Sequence, residues 1–324
     1  MTESQQTVTP DYPHWSSIRE SGTVFGLRLL YRLHRLVGRP AFRFILLLVG
    51  VWYALTRRVQ SQASREYLAR HATTYPEQWR TLGPGKRPGL WHVIKHFQAF
   101  GEAVLDKALG WTDTPEESDF TLLDPGAVQR TLADPRGQLV IGSHFGNLEY
   151  CRGFMRDTHA KTINVLVHDR HSANFVAAMS RYSPDSRLNV FQVDELDVPL
   201  MLSLKERLER GEWLFIAGDR VPLSGESRTA AVPFLGREAR IPTGPYLLAL
   251  SLACPVKLMF AWRDGDQVLV DVQEFADAIE LPRGARQEAL AAYATRFGTA
   301  LEAATARAPY QWFNFYPFWG DSTS

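Results

Sequence analysis

The feature of the sequence that most constrains its fold is an alternation of short apolar stretches and longer helix-like stretches, which begins near residue 91. The apolar stretches predict six strands: Gln138–Gly142, Thr162–Val167, Leu188–Gln192, Trp213–Ala217, Val256–Trp262 and Gln267–Val272. The other stretches predict helices near residues 91–109, 146–158, 172–182, 197–210, 243–253 and 285–307. Strands that alternate with helices are typical of a mainly parallel sheet flanked by helices. The sequence therefore predicts an α/β domain over residues 91–324.

The amino-terminal part of the chain has a different composition. Residues 1–20 are polar, whereas residues 24–58 contain seven arginines and no acidic residue, and include the apolar run Phe44–Leu55. Gly38 and Pro40 predict a break in the helix of this basic segment. Glycine can end one helix, and proline suits the first turn of the next. We therefore expect two helices joined at this break.

The basic apolar segment indicates contact with a membrane that carries anionic lipids. Twelve helical residues from Phe44 to Leu55 would cover about 18 Å, against roughly 30 Å for the hydrocarbon core of a bilayer. An interfacial helical hairpin and a single tilted span both stay open, and so does a buried core helix. We assign residues 1–58 to a polar leader and membrane anchor, and residues 59–90 to a connector.

The net charge, the cysteines and two histidines indicate which partners, redox environment and metal sites to expect. A net charge of +1 gives no reason to expect a nucleic-acid partner. Cys151 and Cys254 are too few and too far apart for a disulfide framework, which favours a reduced, cytoplasmic environment. His92 and His96 have the spacing of metal ligands without a nearby third ligand, so we expect packing roles for them and no metal site.

The stretch from Gly142 to Glu149 carries the clearest sign of chemistry. A predicted apolar strand delivers His144 to its carboxyl end, which is where ligands bind in open α/β sheets. Gly146 and Asn147 allow a tight turn into a helix that bears Glu149. A histidine with a carboxylate about one helical turn away can act as a general base, because the carboxylate fixes the ring and stabilises the imidazolium.

This pair predicts direct attack by an acceptor hydroxyl. His144 would remove the hydroxyl proton, Glu149 would orient the ring, and the backbone amides of Gly146 and Asn147 are candidate oxyanion donors. The sequence contains no Gly-x-Ser-x-Gly elbow of the kind found in ordinary α/β-hydrolases. Cys151 is an alternative nucleophile, although it falls inside the predicted helix.

The motif from His144 to Glu149 resembles the HX4D/E motif of the lysophospholipid acyltransferase superfamily, in the branch that contains the late acyltransferases of lipid A biosynthesis. The resemblance extends from about residue 90 to residue 318. It includes three further segments: Val165–Arg170, Ala217–Asp219, and Val232–Gly236 followed by Thr243 and Gly244. The start of the chain, from Pro13 to Gly26, is similar to a subgroup associated with aryl polyene pigment pathways.

The resemblance implies an acyl-carrier-protein thioester as donor and a lipid or glycolipid hydroxyl as acceptor, without a metal, a cofactor or a covalent acyl-enzyme. It also implies the cytoplasmic face of a bacterial-type inner membrane. The residues expected to bind substrate are Arg170, Asp219, Arg220, Thr243 and Gly244. Arginine forks suit phosphate on a lipid head group or on the carrier's phosphopantetheine arm, although solvated loop arginines would look the same in the sequence.

Two other functions stay open at this point. A thioesterase or lipid hydrolase would use the same pair on water, and a non-catalytic lipid-binding membrane protein would carry the motif without turnover. The aromatic run from Gln311 to Trp319 is similarly open between an acyl groove, the bilayer interface and core packing.

Overall fold

The computed structural model describes residues 24–82, 87–112, 120–147, 149–151, 154, 161–167, 188–221 and 228–319. Its helices are α1 (Val24–Thr56), α2 (Arg58–Thr74), α3 (Pro76–Thr81), α4 (Leu90–Thr112), α5 (Pro125–Ala133), α6 (Val198–Glu209), α7 (Gly244–Leu252) and α8 (Arg286–Arg307). Its strands are β1 (Phe120–Leu122), β2 (Gln138–Gly142), β3 (Ile163–Val167), β4 (Leu188–Gln192), β5 (Trp213–Ala217), β6 (Thr229–Phe234), β7 (Arg237–Pro242), β8 (Val256–Asp264) and β9 (Gln267–Ala276).

Seven strands form one sheet in the order β1-β9-β8-β2-β5-β3-β4. Neighbouring strands are parallel except for β8 and β9, which form an antiparallel hairpin. Strands β6 and β7 make a separate antiparallel pair. The predicted α/β fold, with a mostly parallel sheet and flanking helices, is thereby confirmed.

The predicted strands differ from the observed ones in an instructive way. Strands β2, β4 and β5 have the predicted bounds. Strand β8 runs two residues further, to the hairpin turn, and β9 continues to Ala276 because it pairs with β8 back to Val256. Strands β1, β6 and β7 were not predicted. Strand β7 mixes charged with buried residues, and β6 is apolar after Thr229 but contains Pro233, a residue that is unusual inside a strand. The helix predicted near residues 172–182 lies outside the described residues.

Helix α1 bends where the sequence predicted a break. Gly38 has a left-handed φ of 75° and a ψ of 169°. Beyond the bend α1 packs on α4, and Phe42 and Leu46 are buried on that side. A Cβ at Gly50 would lie 2.9 Å from the carbonyl oxygen of Ile94, so glycine lets the two helices approach closely. The second half of α1 is therefore part of a packed helical layer.

The segment expected to be a connector, residues 59–90, is mostly helical where it is described. Tyr67 and Trp79, on α2 and α3, are fully buried in the main core. The Tyr67 hydroxyl donates to the carbonyl oxygen of Pro309 over 2.7 Å. These contacts tie the amino-terminal helices to the end of the α/β domain.

None of the described helices is by itself long and apolar enough to cross a bilayer. The segments Pro40–Thr56 and Arg58–Thr74 satisfy that criterion only when they are taken together, and they meet at a bend of 102°.

Candidate active site

The carboxyl ends of β2 and β5 bring two polar side chains together. The two strands are parallel neighbours in which Gly142 pairs with Ala217. The Gly218 N–H continues the ladder and donates to the carbonyl oxygen of Gly142 over 2.9 Å. His144 follows Gly142 by two residues, and Asp219 follows Ala217 by two residues. Because the strands are in register, the two side chains meet at the same point of the sheet edge.

The Asp219 carboxylate is buried and accepts three hydrogen bonds. Its Oδ1 lies 2.9 Å from Nδ1 of His144, and its Oδ2 accepts from the His144 backbone N–H and the Trp312 indole N–H, each at 3.0 Å. Burial by itself raises the pKa of Asp219, but the charge and hydrogen bonds of His144 outweigh it and hold that pKa at about 2. Asp219 is therefore an ionised acceptor at neutral pH.

The contact with Asp219 fixes the tautomer of the His144 ring. An ionised carboxylate has no proton to donate, so Nδ1 of the neutral ring carries the hydrogen and donates it to Oδ1. Nε2 then holds the lone pair. The His144 side chain is 33% exposed, whereas that of Asp219 is 2% exposed. The ring is accessible, one of its nitrogens is held by a buried carboxylate and the other has a free lone pair. This is the arrangement of a general base.

The turn after His144 requires glycine at position 146. Gly146 has a φ of 62°, and a Cβ there would lie 1.9 Å from the carbonyl oxygen of Ala261. The Gly146 N–H donates to the carbonyl oxygen of Gln311 over 2.7 Å, and the Asn147 N–H donates to that of Ala261 over 2.8 Å. Both hydrogens hold the turn against neighbouring backbone in this structure, and a role for these two amides as oxyanion donors stays a prediction.

Glu149 lies in the helical stretch beyond the turn and is half-buried. Its backbone N–H donates to Oδ1 of Asn147 over 3.0 Å. The sequence predicted that Glu149 orients the His144 ring, whereas in the structure Nδ1 of that ring contacts Asp219. The part that Glu149 plays in the site stays a prediction.

Arg220 places a positive charge beside the pair. Its Nη2 donates to the carbonyl oxygen of Phe313 over 3.3 Å, and its guanidinium lies 5.9 Å from the ring centre of Tyr316. The charge of Arg220 also contributes to the lowered pKa of Asp219. Arg170, the other arginine expected to bind phosphate, lies outside the described residues.

Thr243 and Gly244 lie at the start of α7. The Thr243 side chain is buried, and its hydroxyl and its N–H both donate to the carbonyl oxygen of Arg228, over 3.0 and 2.9 Å. The hydroxyl therefore closes the open end of the β6–β7 hairpin. The space where a Cβ of Gly244 would stand is open to 4 Å. A role for the two residues in substrate binding stays a prediction.

The histidines and the cysteine that the sequence offered as an alternative metal site or nucleophile are buried. His92 and His96 are buried on α4. Among the described residues, no three His, Cys, Asp or Glu side chains are grouped so that they could hold a metal ion. Cys151 is buried, and burial raises the pKa of its thiol well above the usual range, which disfavours the thiolate that a nucleophile needs.

A cavity of about 260 Å³ lies beside the turn, between α1, α4 and the β8–β9 hairpin. Gly146 and Asn147 line it, and its charged lining residues are Arg43, Lys95, Glu102, Asp106 and Arg263. His144 and Asp219 do not line it. The cavity is therefore adjacent to the motif but does not open on the histidine ring.

Trp312 is a site residue that sequence reasoning did not assign. It is fully buried and reaches Asp219 across 93 positions of the sequence. The one signal in the sequence is the aromatic run from Gln311 to Trp319, and such a run indicates burial without naming a partner. Most of this run is core, since Trp312, Phe313, Phe318 and Trp319 are all buried.

Residues 95–320 match the family model described as bacterial lipid A biosynthesis acyltransferase. The matched region contains most of α4, the whole sheet and the closing segment that carries Trp312. It includes both His144 and Asp219. No curated protein matches this chain.

Proposed function

We propose the following reaction for this chain, which belongs to the bacterial lipid A biosynthesis acyltransferase family: it moves a fatty acyl chain from an acyl-carrier-protein thioester to a hydroxyl of a lipid or glycolipid. Family membership supports acyl transfer to a lipid. The donor and the mechanism are our proposal. The observation that carries the mechanism is the pairing of a partly exposed His144 ring with a buried, ionised Asp219.

In the proposed mechanism, Nε2 of His144 takes the proton of the acceptor hydroxyl as its oxygen attacks the thioester carbonyl carbon. A carbon–oxygen bond forms, the carbon–sulfur bond breaks, and His144 returns the proton to the departing thiolate. Asp219 holds Nδ1–H and stabilises the imidazolium that exists between the two proton transfers. Glu149 is the second carboxylate in the proposed mechanism. From the adjacent helix, its negative charge also stabilises the imidazolium.

The proposed role of the arginines near the site is to bind a phosphate group of the substrate. Arg220 follows Asp219 directly at the end of β5, so its charge lies at the sheet edge where the histidine is found. A phosphate on the acceptor or on the carrier's phosphopantetheine arm would be held there, with Arg170 as the second expected contact. Thr243 and Gly244 complete the proposed substrate-binding set.

We also propose that the protein works at the cytoplasmic face of a bacterial-type inner membrane. Four apolar residues of α1 form an exposed face, which we call the apolar stripe: Phe44, Leu48, Trp52 and Leu55, exposed by 62, 54, 52 and 63%. Their spacing of four, four and three residues puts them on one side of the helix, opposite the side that packs on α4. Exposed apolar surface next to arginines suits an interface with anionic lipids.

The test of the function is transfer of acyl chains from an acyl-carrier-protein thioester by the purified protein and by His144→Ala. General-base catalysis contributes about 10²–10⁴-fold, so the variant should lose at least that much activity. Mass spectrometry of the products separates the alternatives: free fatty acid indicates a thioesterase, and an acylated lipid a transferase. It also distinguishes a lipid A acceptor from a pigment-linked one. Wild-type turnover in folded His144→Ala would contradict the mechanism.

A further inference from the structure

The segment that follows α8 returns to the site and joins its backbone. Phe313 N–H donates to the carbonyl oxygen of His144 over 2.8 Å, and Trp312 forms an isolated antiparallel bridge with Phe145. The carbonyl oxygen of Gln311 accepts the N–H of Gly146. Residues 311–313 therefore run antiparallel to the loop that carries the histidine and are hydrogen-bonded to its backbone.

Trp312 also fixes the orientation of the Asp219 carboxylate. A carboxylate can rotate about its Cβ–Cγ bond, and two good donors on one oxygen oppose that rotation. Oδ2 of Asp219 has two such donors, the Trp312 indole N–H and the His144 backbone N–H. Oδ1 is thereby left to face Nδ1 of the His144 ring. The indole donor thus helps to hold the carboxylate in the orientation in which one of its oxygens faces Nδ1 of the base.

The indole itself is held from several sides. Three aromatic rings meet it edge-on at centroid distances of about 5 Å: Tyr67 at 5.0 Å, Phe234 at 5.1 Å and Phe318 at 4.8 Å. The backbone carbonyl oxygen of Trp312 lies 2.9 Å from Nε2 of buried His96. A carbonyl can only accept, so Nε2 carries the hydrogen and Nδ1 of His96 accepts from the Ser64 hydroxyl over 2.8 Å. Such packing leaves the indole N–H little freedom to leave Asp219.

We infer that Trp312 is a positioning residue for the reaction: its indole N–H locks Asp219 so that His144 keeps its hydrogen on Nδ1 and its lone pair on Nε2. The inference rests on the proposed function for its kinetic consequence. It assigns a role in the site to a segment whose aromatic composition left an acyl groove, the bilayer interface and core packing open. Loss of the N–H should cost rate without weakening substrate binding, because Trp312 is fully buried and acts through Asp219.

The chain offers a matched control for this test. Trp319 lies in the same aromatic cluster, 6.3 Å from Trp312 between ring centres, and is also buried. Its indole N–H donates to the carbonyl oxygen of Phe234 over 3.2 Å. Trp312→Phe and Trp319→Phe therefore remove the same group and similar volume from one cluster, and only the first removes a donor from Asp219.

The experiment measures kcat and KM for both variants, thermal unfolding, and the tautomer of His144 by ¹⁵N NMR of the histidine side chains, with His144→Gln to assign the signal. We expect Trp312→Phe to lose about tenfold or more in kcat with KM nearly unchanged, since hydrogen bonds to charged groups are among the stronger ones. Its neutral His144 should populate the Nε2–H tautomer to a measurable fraction, because an Asp219 carboxylate that can turn away no longer holds Nδ1–H continuously. Trp319→Phe should keep the wild-type kcat and the Nδ1–H tautomer at a similar loss of stability.

Two results would overturn the inference. One is an equal loss of kcat in both variants, which would indicate a packing effect only. The other is an Nδ1–H tautomer that survives in folded Trp312→Phe. The NMR measurement does not require turnover, so it separates the two claims. If the wild-type protein transfers no acyl chain but the tautomer responds to Trp312→Phe alone, the proposed function fails and the positioning role stands.

Discussion

At the scale of single residues, the structure places two carboxylates near the base: Glu149, from the sequence motif, and Asp219, which contacts the His144 ring. Asp219→Asn should put an amide where Oδ1 meets Nδ1 of His144. The Trp312 and His144 N–H groups keep the amide oxygen on their side, so the NH₂ would face Nδ1 and force the hydrogen onto Nε2. A wrong tautomer cannot act as base, and we expect a loss in kcat on the order of 10²–10⁴-fold.

Glu149→Gln is the matched comparison, because it also converts an acid to its amide. We expect it to cost less than Asp219→Asn, since Asp219 already occupies Nδ1 of His144. The double variant His144→Ala with Asp219→Asn should be little worse than His144→Ala alone, because the pair acts as a unit. These comparisons need kcat for acyl transfer at one pH. A larger loss in Glu149→Gln than in Asp219→Asn would return the orienting role to Glu149, as the motif alone predicted.

The sequence identified the base but not its partner, and the reason is topological. His144 and Asp219 are 75 positions apart, and β3 and β4 lie between their strands in the chain. Spacing along the chain favoured Glu149, which is near in sequence. Only the strand order, in which β5 adds directly to β2, shows that the residues two positions beyond each strand are neighbours. Strand order is a long-range property that apolar runs do not encode.

Burial of His96 makes a prediction about stability and pH. Burial lowers the pKa of His96 to about 4, from about 6.5 in an unfolded chain. The unfolded state therefore binds more protons between these values. The stabilisation is complete above about pH 6.5 and is lost as pH falls through about 4, by up to about 3 kcal/mol for this one group.

His96→Gln is the variant that isolates this contribution, because glutamine can still donate to the Trp312 carbonyl oxygen. Burial also lowers the pKa of His71 to about 4, so the variant should show a shallower pH dependence rather than none. The free energy of unfolding, from urea titrations at several pH values between 4 and 7, measures the difference. Parallel curves for the two proteins would show that His96 is not neutral and buried in the folded state.

At the scale of elements, the turn after β2 offers a direct test of close packing. Gly146 and Gly265 both have left-handed backbone, with φ of 62° and 60°. Alanine at either position should cost about 1–2 kcal/mol from backbone strain alone. At Gly265 a Cβ meets nothing within 4 Å, whereas at Gly146 it would meet the carbonyl oxygen of Ala261 at 1.9 Å.

Gly146→Ala should therefore lose roughly 2 kcal/mol or more beyond the loss in Gly265→Ala, and it should also lose acyl transfer because the loop carrying His144 must move. Chemical denaturation gives the stability difference, and the transfer assay gives the second readout. Equal stability of the two variants would show that the turn can relax away from β8, and that its hydrogen bonds to Ala261 and Gln311 are not what holds the histidine.

Burial explains why two central strands were predicted with the right bounds. Strands β2 and β5 lie in the middle of the sheet, covered on both faces, and appear in the sequence as continuous apolar runs with clear ends. In the hairpin β6–β7, which packs on α8, β7 mixes charged with buried residues and β6 is interrupted by Pro233, so neither strand has that signature. The helices α2 and α3 were missed as core elements because α2 buries polar residues, Ser61, Ser64 and His71, among its apolar ones, and α3 buries only Trp79.

At the scale of the whole molecule, the helical layer and the reactive pair form one connected body. Helix α1 packs on α4, and α4 carries His96, which donates to the carbonyl oxygen of Trp312. The indole of Trp312 in turn donates to Asp219. Arg43 of α1 pairs with Glu102 of α4 at 3.0 Å, so this arginine is held by the protein rather than extended toward lipid head groups. A surface that binds α1 to a membrane would therefore hold the site at a fixed position relative to it.

This connection decides how membrane binding should be tested. Deletion of residues 1–58 would uncover the face of α4 on which Phe42 and Leu46 are packed, and so would disturb folding as well as binding. Substitution of the apolar stripe is cleaner. Leu48→Glu with Leu55→Glu places two charges on side chains that are 54 and 63% exposed, without touching the packed side of α1.

The matched control is Val198→Glu with Leu202→Glu, on α6, where the side chains are 72 and 58% exposed. If the stripe enters the lipid interface, the α1 double variant should bind vesicles of one part phosphatidylglycerol to three parts phosphatidylethanolamine at least tenfold more weakly. Burial of a leucine side chain is worth about 1.5–3 kcal/mol, and about 1.4 kcal/mol is tenfold in affinity. The α6 variant should bind as the wild type does. Sedimentation with vesicles at low and high salt measures both, and comparable binding by the wild type and the α1 variant, in both salts, would show that the stripe does not face lipid.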